Sequence, residues 1–274
     1  MSRENFPLKF FFATAVAFCL FSAVANGAGW SGVGLSAVAV SGVGSSLRGL
    51  DYTAFANLKP NATAADPANA PSVFTADKGR FRITINGQPV GTEEFEIAAT
   101  GNTWLEHSSM TAHAPGNADI KSTGQLKLSA DGSPVRYDWA AEALKKATGS
   151  VDFENGTAKC SADLGKPTPL RKDFKFTSSV IAVLDNNLYY QFAILARLYD
   201  WKTGGKQTFP VLIPQDMVPG SISVESLGQE QAGNGHYEAL RVSSPDLEIM
   251  LYLDGNHRMM RLVVPSSNVM IERE

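Results

Sequence analysis

The sequence predicts a mainly β protein: one curved antiparallel sheet, a β-roll or half-barrel, packed around a single α-helix. Three observations predict it. Short segments that alternate apolar and polar residues recur from Gly79 to Arg273. Turn-forming residues separate them, among them Asn86-Gly87, Gly101-Asn102, Pro115-Gly116-Asn117, Asp131-Gly132-Ser133-Pro134, Asn155-Gly156, Asp254-Gly255-Asn256 and Pro265-Ser266-Ser267-Asn268. Residues 185–201 stand apart, because their apolar residues fall at helical spacing.

In chain order, the first 25 residues read as a secretory signal peptide. Arg3 and Lys9 precede an apolar run, Phe10 to Val24, that exits through Ala23-Val24-Ala25. The run is shorter than the roughly 20 residues that span a bilayer. Phe18 before Cys19 argues against a lipid anchor, and no Arg-Arg pair precedes the run. The mature chain is therefore expected to be periplasmic or secreted, with no transmembrane segment. Cys160 is then its single cysteine, so no internal disulfide is available and the core must supply the stability. Whole-chain charge is −3, and losing Arg3, Lys9 and Glu4 makes it −4, which argues against a nucleic-acid partner.

Residues 26–75, rich in Gly, Ala, Ser, Asn and Pro, read as a flexible tether. Its repeated Ser-Gly-Val-Gly pieces lack the Gly-Lys-Ser/Thr ending of a phosphate loop. Residues 76–274 are expected to form a single β-rich domain. Its first strand carries Phe81, Ile83 and Ile85 on one face and Arg80, Arg82 and Thr84 on the other. Asn86-Gly87 turns it into a return strand with Val90, Phe95 and Ile97. Parity puts Phe95 and Ile97 on the wrong face unless the return strand carries one extra residue, so a bulge is expected near Gly91, or else a three-residue loop. Further strands are expected over 103–111, 120–129, 135–141, 150–154 and 157–161, and another through Phe174 and Phe176.

The helix is expected over 185–201, with a stripe of Leu188, Phe192, Leu195 and Tyr199. Asp185 or Asn186 would cap it, Gly204-Gly205 would stop it, and Gln191 and Arg197 would form its narrow wet face. Strands resume over 207–213, 221–228, 236–242, 247–253, 259–264 and 269–273.

No catalytic motif stands out. The four histidines, His107, His113, His236 and His257, lack metal-ligand spacing, so no metal and no cofactor are expected. Glu93, Glu94 and Glu96 read as cross-strand partners of Arg80 and Arg82 rather than an acid–base pair. Lys166, Arg171, Lys172 and Lys175 form a basic group that reads as a solvated loop, with an anionic partner or lipid head group as the functional alternative. The aromatic helix is the best ligand-binding candidate, through Tyr189, Phe192, Tyr199 and Trp201, if the sheet curves around it and leaves space.

The order of Gly79-Arg80-Phe81-Arg82-Ile83, Val90-Gly91-Thr92, the helix ending in Tyr199-Asp200-Trp201, Asp254-Gly255, Leu262-Val263-Val264-Pro265 and Glu272-Arg273 resembles a family of exported bacterial β-rich proteins of unknown function. More distantly, the architecture is similar to the periplasmic lipoprotein carriers LolA and LolB. The resemblance implies a sheet rolled around a helix and implies no functional residues. The expected function is non-enzymatic binding of an apolar or amphiphilic ligand, such as a lipid, or of an envelope protein. The alternatives are a cell-envelope hydrolase with a site assembled from distant residues and a purely structural envelope component.

Overall fold

Alternation along strands such as β3, β4 and β13 gives the sheet one greasy face and one wet face, and a sheet of this width can bury the greasy one only by curling. The computed structural model describes residues 72–113 and 119–274. The signal segment, the tether up to residue 71 and the turn at Pro115 lie outside the described residues.

The strands are β1 (Asp77–Ile85), β2 (Gln88–Thr100), β3 (Thr103–Ala112), β4 (Ile120–Ser129), β5 (Pro134–Glu142), β6 (Lys146–Glu154), β7 (Thr157–Asp163) and β8 (Leu170–Lys175). After the two-residue β9 (Ala182–Val183) comes the helix α1 (Tyr190–Leu198). Then follow β10 (Lys206–Ile213), β11 (Val218–Ala232), β12 (Gly235–Ser244), β13 (Leu247–Leu253), β14 (Met259–Val264) and β15 (Val269–Arg273). All 15 strands form one sheet in the order β8 to β1, then β15 to β9. The two meanders therefore meet where the first described strand pairs with the last: β1 runs antiparallel to β15, Ile83 opposite Ile271. Among the described strands only β9 runs parallel to its neighbour, β10.

The expected bulge is present. Ile83 faces Gly91 while Thr84 faces Pro89, leaving Val90 as the extra residue. Glycine is needed at 91 for space rather than for φ: a Cβ there would lie 2.4 Å from the Thr111 carbonyl oxygen. Asn86 (φ 51°) and Gly87 (φ 76°) form the left-handed turn that suits a two-residue hairpin. The edge strand β8 spans Leu170–Lys175, so it ends before Phe176. Phe74, assigned to the tether by composition, is buried against Trp104 with ring centroids 5.8 Å apart.

One continuous core unites both meanders and the helix, from Phe81, Phe95, Leu126 and Tyr137 on one side to Leu240, Leu251, Leu262 and Ile271 on the other. The helix is shorter than its apolar stripe suggests. Asp185 accepts the Asn187 backbone N–H at 2.8 Å, which turns the chain ahead of the helix instead of capping it. At the other end Tyr199 is already extended (ψ 126°), before the two glycines are reached. Gln191 is not on a wet face; it is 1% exposed, and its Oε1 accepts the Asp185 backbone N–H.

The segment leading into α1 approaches β4 so closely that Gly124 has no room for a side chain. A Cβ there would lie 2.5 Å from Leu188 Cδ1 and 2.8 Å from the Tyr137 hydroxyl. Gly124→Val is expected to destabilise by about 1–3 kcal/mol through overpacking, read as a lower urea midpoint at unchanged slope.

Candidate functional site

The inner ends of β2 and β3 carry polar residues where the pattern calls for apolar ones. The bulge at Val90 puts Glu93 on the same inward parity as Phe95 and Ile97. Alternation along β3 turns Glu106 and Ser108 inward with Met110 and Ala112. Glu93 and Glu106 are both 0% exposed.

The reading of Glu93, Glu94 and Glu96 as cross-strand partners of Arg80 and Arg82 holds for Arg80, which lies opposite Glu94 in the β1–β2 register, and fails for Glu93, which is inside. The ion pairs of the two arginines run to the other neighbour strand and its end, Arg80 to Glu274 at 3.4 Å and Arg82 to Glu272 at 3.4 Å. Glu94 and Glu96 stay on the outer face, while Glu93 is inside.

Glu93 has a defined task there. Its carboxylate accepts the Ser108 hydroxyl at 2.6 Å and the backbone N–H groups of Tyr189 and Tyr190 at 2.8 and 3.2 Å. These are the first free donors of α1, whose own flanking residue supplies no side-chain cap. The cap is thus delivered from the sheet, and the carboxylate faces the positive end of the helix dipole. Burial raises the Glu93 pKa to about 7, against the lowering effect of its hydrogen bonds.

Next to it, Asp185 accepts the Tyr137 hydroxyl at 2.5 Å and an amide N–H of Gln215. Burial raises the Asp185 pKa as well. Glu106 has no partner for either carboxylate oxygen, and burial pushes its pKa well above the usual range. The Tyr190 hydroxyl and the Gln191 Nε2 are likewise buried without partners. Among the described residues no group of His, Cys, Asp and Glu has the geometry to hold a metal ion.

The four aromatic candidates lie in one region, around α1. Tyr189, Phe192 and Tyr199 are buried in the core, and Phe192 lines a cavity of about 10 Å³, the space of one water. The Tyr199 hydroxyl donates to the Gly205 carbonyl at 2.6 Å. Trp201 donates its indole N–H to the Ala196 carbonyl at 3.2 Å and stacks flat on His257, centroids 3.9 Å apart. Cys160 is buried, and burial pushes its thiol up to about 11, as an inert core cysteine requires.

The roomier space is at the seam where the two ends of the sheet approach each other. A groove of about 810 Å³ lies there, bounded by Lys175 and Phe176 after β8, by Val180, by Phe209 and Pro210 of β10 and by Pro219 of β11. Val73 and Leu198, the last residue of α1, complete its apolar wall. On the outer face a second depression of about 580 Å³ carries Arg80, Glu94, Glu96, His107 and Ser109, with His107 4.0 Å from Glu96 and both more than 45% exposed.

Fold and interior together define an antiparallel β-roll with a packed core helix and an apolar groove at its seam. The chain belongs to the family described as "Protein of unknown function (DUF3108)", whose pattern matches residues 80–272. Among solved structures it is similar to a β-barrel-like protein of the domain of unknown function DUF1849 from Brucella abortus, at 10% identity and a TM-score of 0.51, over 75% of this chain and 97% of that one. A DUF1089 family protein from Pseudomonas aeruginosa superposes less well, at 8% identity and a TM-score of 0.39, over 64% of this chain and 90% of that one. No protein of curated function matches.

Sequence reasoning missed Glu93, Glu106 and the seam groove. For the two glutamates a signal was present: the parity argument that places the bulge also turns Glu93 inward, and the alternation of β3 does the same for Glu106. The groove joins residues from both halves of the chain, so no local pattern reports it.

Proposed function

We propose that this protein is an exported, non-enzymatic binding protein that holds an amphiphilic ligand in the seam groove. The observation that carries the reading is the groove itself. It is about 810 Å³, within the range of small-molecule sites, and Val73, Phe176, Val180, Leu198, Phe209, Pro210 and Pro219 give it an apolar wall. Lys175 lies among them and suits an anionic head group. The aromatic candidates enter this reading through position: Tyr199 and Trp201 fix the end of α1 that presents Leu198 to the groove. The features of residues 1–25 support a periplasmic or secreted location.

Titration with a dansyl-labelled long-chain fatty acid tests it. The purified protein is expected to enhance and blue-shift the dansyl emission saturably. Val73→Asp puts a charge in the apolar wall at an exposed position, and Lys175→Glu reverses the head-group charge. Each is expected to weaken binding about tenfold or more. Absence of saturable binding, or equal binding by both variants, would overturn the reading.

A further inference from the structure

Three leucines are the most exposed large apolar residues among those described. Leu144 is 76% exposed, Leu170 54% and Leu164 42%. Leu144 occupies the turn 143–145 between β5 and β6, and Leu164 and Leu170 bracket the turn between β7 and β8. Successive strands here are antiparallel, so these two turns emerge at the same end of the sheet. With neighbouring strands about 4.8 Å apart, the turns lie roughly 10 Å from each other.

Cations surround the leucines. Lys145, Lys146, Lys166, Arg171 and Lys172 are all exposed on the same two turns and the strand ends beside them. The carboxylates there are Glu142, Asp163 and Asp173, so this corner carries a local surplus of positive charge on a chain of net charge −3. Pro167 and Pro169 stiffen the longer turn, which lowers the entropy lost when Leu164 and Leu170 are held outward. The corner lies away from the seam groove, whose Asp131 and Lys175 belong to the opposite end of β4 and β8.

We propose that this corner docks on an anionic lipid bilayer. Leu144, Leu164 and Leu170 enter the boundary between head groups and acyl chains, and the five cations meet the lipid phosphates. Leu144 and Leu164 lie on the two turns and Leu170 is the first residue of β8, so all three are at one end of the sheet. Long basic side chains keep their ammonium or guanidinium groups at the phosphate level while their stems follow the apolar surface. Each cation near an anionic surface contributes roughly fivefold to partitioning, an effect that salt screens.

Vesicle co-sedimentation decides it. The chain from residue 26 onward, which keeps every described residue, is mixed with phosphatidylcholine vesicles or with vesicles containing phosphatidylglycerol. Binding to the second and not the first is expected, with a steep loss at high salt. Lys145→Glu, Lys166→Glu and Arg171→Glu combined should weaken partitioning about 100-fold or more. Leu144→Ser, Leu164→Ser and Leu170→Ser combined should also weaken it at unchanged charge, by about tenfold or more. The groove variant Val73→Asp should bind vesicles like the parent, which separates this site from the proposed ligand groove. All the replaced side chains are exposed, so unchanged circular dichroism is expected throughout. No binding to phosphatidylglycerol vesicles overturns the proposal. So does a loss confined to the charge variants, because that is the behaviour of a site for an acidic protein rather than a bilayer.

Discussion

Glu93→Ala is expected to destabilise the fold by about 3–5 kcal/mol, the largest single loss predicted for a change outside the apolar core. The substitution strands three buried donors at once: the Ser108 hydroxyl and the backbone N–H groups of Tyr189 and Tyr190. The latter two open α1, and no residue of the helix's own flank replaces the cap. Chemical denaturation at neutral pH measures the loss. Glu93→Gln keeps a carbonyl acceptor and should lose less, about 1–2 kcal/mol. The same variant reports on pH. Burial lifts the Glu93 pKa from 4.5 to about 7, so the folded state holds the proton more tightly than the unfolded chain. The stability this confers is complete below about pH 4.5 and is lost as pH rises through about 7. Asp185 and Glu106, both raised by burial, act in the same direction. The protein is therefore expected to be more stable at pH 5 than at pH 8, and Glu93→Gln should flatten part of that slope. If Glu93→Ala cost under about 1 kcal/mol, the helix would not depend on this carboxylate.

Glu106→Leu should act in the opposite sense and stabilise the protein by about 1–3 kcal/mol. Neither carboxylate oxygen of Glu106 has a partner, and the side chain is 0% exposed among Ile97, Leu126 and the Tyr190 ring. Leucine matches the apolar surroundings and removes two unpaired polar atoms from the interior. The gain should grow with pH, because only the wild-type chain must keep a carboxyl neutral against an alkaline solvent. Differential scanning calorimetry at pH 5 and pH 8 separates the two contributions: a rise in Tm at both, larger at pH 8. A fall in Tm on Glu106→Leu would mean that the carboxyl makes a favourable interaction in solution.

Most of the fold was legible because its signals are local. Asn86-Gly87 and Asn155-Gly156 announce hairpins by themselves, and the limits expected for β4, β13, β14 and β15 coincide with the observed ones. Parity narrowed the first hairpin to a bulge near Gly91 or a three-residue loop, and the structure has the bulge. What could not be read depends on partners distant in sequence. The helix start is set by Glu93, nearly a hundred residues away, and by the Tyr137–Asp185 hydrogen bond, so the apolar stripe alone overestimates its length. The short β9 exists only because β10 lies beside it. Arg80 does lie opposite Glu94, but β1 has a second neighbour, β15, and the ion pairs of Arg80 and Arg82 go to Glu274 and Glu272 on that side. Of the site, the aromatic helix was visible from composition. Whether its rings face a ligand or a packed sheet depends on how tightly the sheet curls, which no local pattern reports.

With α1 packed inside the roll, the amphiphile is proposed to bind at the seam between the two ends of the sheet and not inside it. Photo-crosslinking with a diazirine fatty acid, followed by peptide mapping, tests this most directly. Label is expected on Phe176, Val180, Phe209, Pro210 and Pro219, together with loss of that label in Val73→Asp. Label on Phe192, Leu240 or Leu251 in the interior, with the seam unlabelled, would contradict it.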